Sequence, residues 1–139
     1  MYVVRKSEAV ARNLDGEIRT QYFGPQIRIG ITTMPPHRKQ RLHSHESVTE
    51  SIYVLSGDIQ AYEHDEGQLR ETKLHEGDFV TFVPGPAHTL GNASDAEAKV
   101  VVVKAAFDPR LDAEAFRQLC MSDWIEFSWP GWDDASARV

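Results

Sequence analysis

From Glu17 to Phe107 the chain alternates short runs of β-prone residues with tight turn signals, and this rhythm most constrains what it can fold into. Runs rich in Val, Ile, Tyr, Phe and Thr fall at Glu17 to Phe23, Gln26 to Met34, Glu50 to Leu55, Asp58 to His64, Gln68 to Leu74, Phe79 to Val83 and Ala87 to Asn92. Turn signals separate them, among them Asp15-Gly16, Gly24-Pro25, Ser56-Gly57-Asp58, Glu76-Gly77-Asp78 and Pro84-Gly85-Pro86. Branched and aromatic side chains suit a pleated, half-buried surface, while Gly, Pro and Asp supply the backbone angles of turns. Many short strands at regular spacing predict an all-β barrel or sandwich. Ala98 to Phe107 is apolar on nearly every residue, and its four consecutive valines favour a strand covered on both faces over a buried helix.

A helix is predicted only near the end, in Leu111 to Cys120, with Asp112 placed to cap it and Leu111 placed to staple onto Phe116. Beyond it, Trp124, Ile125, Phe127, Trp129 and Trp132 form too much aromatic surface to leave in water. The tail is expected to fold over the barrel or a partner subunit; the sharper alternative is a lid over the functional pocket. With 139 residues the chain fits one domain, a barrel core at about 17–107 followed by helix and tail at 108–139.

A net charge of −6 argues against nucleic acid, which needs a basic face to displace counterions. No apolar run approaches the ~20 residues of a membrane helix, and the N-terminus lacks an apolar signal core, so a cytoplasmic address is expected. Cys120 is the single cysteine, which leaves no disulfide framework and suits helix packing.

The chemistry concentrates in His43-Ser44-His45, followed four residues later by Glu50. On an extended strand, side chains two apart share a face with Cα atoms roughly 6.5 Å apart, close enough to chelate one ion. Residues 46–49 can turn the chain so that Glu50 adds an anionic oxygen from the next strand. A second stretch runs from Gly77 through Gly85 to His88 and Asn92.

Together these stretches resemble the two motifs of the cupin family. His43, His45, Glu50 and Gly57 fit the first at every spacing, and Gly77, Gly85, His88 and Asn92 fall in register with the second. His37 stands where the first motif has a glycine, and Val83 where the second has a proline. The resemblance implies a double-stranded β-helix, with His43, His45, Glu50 and His88 converging inside the barrel on one divalent transition metal: Fe, Mn, Ni, Co, Cu or Zn. Three imidazoles and a carboxylate do not select among these metals. An octahedral ion would keep two open positions, which suits catalysis better than a closed structural site. Glu50 is also a candidate proton acceptor.

If Glu50 points inward, alternation takes Ile52 and Val54 inward too. Arg28 lies between Ile27 and Ile29; with the isoleucines packed on the core it would face solvent or an interface, which is the expectation, and in the reverse orientation it would reach the pocket and clamp a substrate carboxylate. Tyr62 and Lys104 are the other candidate substrate contacts, on faces that the sequence does not orient. His37 is expected to be solvated, and His64 and His75 carry no role. The implied functions are a dioxygenase-like metal enzyme on a small polar organic molecule, a non-redox isomerase, lyase or sugar-processing enzyme, or a non-catalytic module binding a metabolite or metal. Resemblance to small cupins also suggests a homodimer, with Met1 to Phe23 as an exchanged or edge element.

Overall fold

The computed structural model describes residues 1–132 and 136–137; the rest of the predicted tail, 133–135 and 138–139, lies outside the described residues. A 3₁₀ turn at Lys6–Glu8 precedes β1 (Val10–Leu14), β2 (Glu17–Gly24), β3 (Ile27–Met34), β4 (Arg38–Gln40) and β5 (His43–Ser44). There follow β6 (Thr49–Ser56), β7 (Ile59–Asp65), β8 (Gln68–Leu74), β9 (Phe79–Phe82), β10 (His88–Asn92) and β11 (Ala98–Ala105). Helix α1 (Ala113–Ser122) and the two-residue strands β12 (Ile125–Glu126) and β13 (Ser136–Ala137) complete the chain. One sheet runs β1-β2-β3-β11-β6-β9; the other centres on β10, which pairs with β4, β5 and β7, and carries β8, β12 and β13 outside these. This is a double-stranded β-helix, a jelly-roll barrel with one short helix.

Register sorts the inward side chains of the first sheet into a graded interior. Antiparallel pairing sets Val100 beside Val54, Val102 between Gly30 and Ile52, and Lys104 between Arg28 and Glu50. Side chains two apart share a face, so each strand crosses from apolar to charged along its own inner row. The apolar end, with Met34, Ile52, Val54, Ile59, Ala98 and Val100 all fully buried, is a packed plug. The charged end is the functional end. The inward placement of Ile52 and Val54 follows the expected alternation from Glu50.

Two motif residues hold this frame. Gly57 turns β6 into β7 at φ +80°, and a Cβ there would lie 2.9 Å from both the Ala98 Cα and the Glu97 carbonyl oxygen, so a side chain is excluded twice over. Asn92, fully buried, donates to the Ala96 carbonyl at 2.8 Å and reaches the Met34 and Pro35 carbonyls at 3.2 Å. It ties the end of β3 to the turn into β11.

Helix α1 begins where Asp112 accepts a hydrogen bond from the Ala115 N–H. Its inner face places Phe116 in a satellite cluster with Val48 and Ala106, flanked by Leu111, Leu119 and Cys120. The covered strand β11 is less sealed than its sequence suggests. Its outward Val101 and Val103 are half-buried, and beside them Ile27, Ile29, Ile31, Tyr53, Leu55 and Phe79 are exposed. β1, inside the segment expected to act as an edge or exchanged element, is one of the two edge strands of this sheet, β9 being the other. No helix among the described residues is long and apolar enough to cross a membrane.

Candidate metal centre

The four candidate ligands come from three segments that the barrel closes onto one another. His43 lies on β5 directly opposite His88 on β10, His45 follows one residue past β5, and Glu50 enters from β6 of the other sheet. All four are buried, and one ligand atom from each falls within 4.8 Å of all the others.

Each imidazole is aimed by its own backbone bond. Nδ1–H of His43 donates to the Arg41 carbonyl at 2.8 Å, that of His88 to the Pro86 carbonyl at 3.1 Å, and that of His45 to the Asp123 carbonyl. A proton held at Nδ1 leaves the lone pair on Nε2, which is the tautomer a metal requires. Those three Nε2 atoms are buried without a hydrogen-bond partner. Buried polar atoms are rarely left in that state, and three converging on one carboxylate fit a divalent cation of the first transition row. Flat rings fix the remaining freedom: Trp124 stacks on His43 at 3.7 Å between centroids, and Phe82 stacks on His88 at 4.3 Å.

Burial pushes the His43 imidazole down to about 3, so it is neutral and able to coordinate at physiological pH. Burial alone would raise the Glu50 carboxyl, but Lys104 and the rings of His45 and His88 hold it well below the ordinary carboxylate range. The Lys104 ammonium lies 3.5 Å from Glu50, whose attraction opposes the downward pull of burial on the lysine.

Beside the ligands opens a cavity of about 40 Å³, lined by His43 and Glu50 together with Arg19, Arg28, Lys104 and Trp124 among others. Arg28 corrects the expectation that it faces solvent or an interface. It is buried and lines the cavity, while Ile27, Ile29 and Ile31 point outward. Lys104 lies in the same cavity wall. Tyr62 does not: it is on the outer face of β7, where its hydroxyl donates to Glu71 and its ring meets Trp132. In the aromatic tail, Trp124 lines the cavity beside His43, whereas Phe127 and Trp129 pack against His64. His37 is exposed and pairs with Asp95.

Asp123 is the residue that the sequence does not flag. Besides giving its carbonyl to His45, it accepts at its carboxylate from the N–H groups of Glu46, Ser47 and Val48 at 2.7, 2.9 and 3.0 Å. One residue thus anchors both a ligand and the loop between His45 and Glu50.

The model of the cupin domain matches residues 30–104, more than half of the chain and all four candidate ligands. The chain belongs to the cupin family. No curated protein matches the sequence of this cupin. Among solved structures, Bacillus subtilis oxalate decarboxylase is similar at 19% identity and TM-score 0.64, over 76% of this chain and 30% of the decarboxylase. Drosophila melanogaster CENP-C bound to CAL1 matches at 16% identity and TM-score 0.63, over 73% of this chain and 85% of that one. A cupin-superfamily sugar phosphate isomerase from Silicibacter pomeroyi matches at 23% and 0.58, over 66% and 60%. At these identities the likeness is one of fold.

Proposed function

We propose that this cupin is a divalent-metal-dependent enzyme acting on a small polar organic molecule held in the barrel, in the manner of a dioxygenase. The observation that carries the reading is the convergence of three partnerless Nε2 atoms and Glu50 on one point, beside a small cavity walled by charged side chains. A first-row metal held by His43, His45, Glu50 and His88 supplies Lewis acidity and, where it is redox-active, electron transfer. The chain's own residues do the rest. The Arg41, Pro86 and Asp123 carbonyls hold the three imidazoles in one tautomer. Lys104 keeps Glu50 ionised, and Trp124 gives the cavity an aromatic wall against His43.

One observation favours a second reading, a non-redox isomerase or lyase. Glu50 and Lys104 form a buried acid–base pair at the cavity wall, and such a pair can exchange a proton with a substrate without electron transfer. Oxygen consumption separates the two. Protein loaded with ferrous iron is expected to consume oxygen in step with conversion of a small organic substrate; equal conversion by the zinc-loaded protein without oxygen would sink the dioxygenase reading in favour of the second.

A further inference from the structure

The charges sealed into the barrel do not balance. Arg19, Arg28 and Lys104 are each under 10% exposed and all line the cavity. Arg19 is satisfied by Glu17, whose Oε2 accepts from its Nε at 2.9 Å and its Nη2 at 2.6 Å. Lys104 has Glu50. Arg28 has neither: its Nε is buried without a hydrogen-bond partner, and among the described residues it forms no ion pair. Burial depresses its guanidinium and Glu50 opposes that pull, yet the Glu50 oxygens already face Lys104, His45 and His88.

A buried guanidinium without an anion is strongly unfavourable, and a cation bound by the four ligands adds further positive charge to the same small volume. Space is left for a counter-charge. Gly30 sits opposite Val102 on the inner row, and the position its absent Cβ would take lies 3.8 Å from Arg28 Nη2. The cavity is small, about 40 Å³, which favours a compact guest over a long chain.

We propose that the substrate is a short-chain carboxylate, its carboxylate paired with the planar fork of Arg28 and its other end facing His43, His45, Glu50 and His88. The inference rests on reading those four as a metal centre that acts on a small molecule. Arginine suits the task because its parallel N–H groups match both carboxylate oxygens and stay charged when buried.

The test is calorimetric titration of the cobalt-loaded protein with glycolate and with its neutral isostere glycolamide, cobalt content being measured in the same samples. Glycolate is expected to bind at least tenfold more tightly than glycolamide. Arg28→Gln should lose that preference while keeping its cobalt, and Arg28→Lys should recover part of it. Equal affinity for the two ligands in cobalt-loaded wild type overturns the proposal, as does an Arg28→Gln protein that retains the preference. If Arg28→Gln does not fold, the pair is titrated against metal-free wild type, where no cobalt favours the anion: preference for glycolate supports the proposal and equal affinity overturns it. A wild type that takes up no cobalt fails the metal reading instead; the same pair titrated against it then tests Arg28 by itself, with preference for glycolate supporting the anion site and equal binding overturning it.

Discussion

His45→Ala is expected to abolish stable metal binding while leaving the barrel folded. His45 is fully buried, supplies one of only three imidazoles, and has its Nδ1–H committed to the Asp123 carbonyl. Alanine removes a ligand that water cannot replace with the same orientation, and a loss of at least ~100-fold in metal affinity follows by comparison with the smaller effects of altering the partners of ligands. The fold should survive, because the apolar plug of Met34, Ile52, Val54 and Val100 lies at the other end of the inner rows. The cost to stability of the metal-free protein is about 1–3 kcal/mol, from the cavity left behind and the orphaned Asp123 carbonyl. Metal content after dialysis and the circular-dichroism melt read the two effects separately. Undiminished metal in a folded His45→Ala protein would refute the assignment of this ligand.

Asp123→Ala should damage the centre without touching a ligand. Its carboxylate is the acceptor for three consecutive N–H groups, and burial, which would raise its carboxyl, is outweighed by those bonds, so that the group is held below its ordinary value. Alanine leaves the N–H groups of Glu46, Ser47 and Val48 without that acceptor, the last of them in a buried bond. Unsatisfied donors of this kind cost about 1–3 kcal/mol, and with the lost charge assistance a destabilisation of about 2–4 kcal/mol is expected. The released loop joins His45 to Glu50, so metal affinity should fall about 10–100-fold although all four ligands remain. Denaturant unfolding and a metal titration of the same variant check both. Stability within about 0.5 kcal/mol of wild type together with unchanged metal affinity would show that Asp123 does not position the centre.

The parts of this protein that sequence makes legible are those in which one local pattern has one physical outcome. The Gln68 to Leu74 run forms β8 with those bounds, and Glu50, Ile52 and Val54 turn inward together because a strand has a period of two. His43 and His45, two residues apart across the end of β5, both turn into the same centre. Arg28 went against expectation because the inner face of its strand ends in a charged cavity while the outer face carries the isoleucines. The outer face of the six-stranded sheet carries Ile27, Ile29 and Ile31, so polarity alone does not tell inside from outside there. β4 and β5, of three and two residues, are too short to show a period. Tyr62 shares β7 with Ala61, and only the barrel's closure decides that Ala61 faces the core. Asp123 was invisible because its bonds reach 75 to 78 residues back along the chain, and an aspartate after a helix ordinarily reads as a solvated end.

The central claim is that His43, His45, Glu50 and His88 together hold one divalent metal, and titration of the metal-stripped wild-type protein with cobalt, followed by visible absorption, tests it most directly. A saturable spectrum that ends at one equivalent per chain and is displaced by zinc is expected. A spectrum that never departs from that of free cobalt, or an endpoint unchanged in His45→Ala, would contradict it.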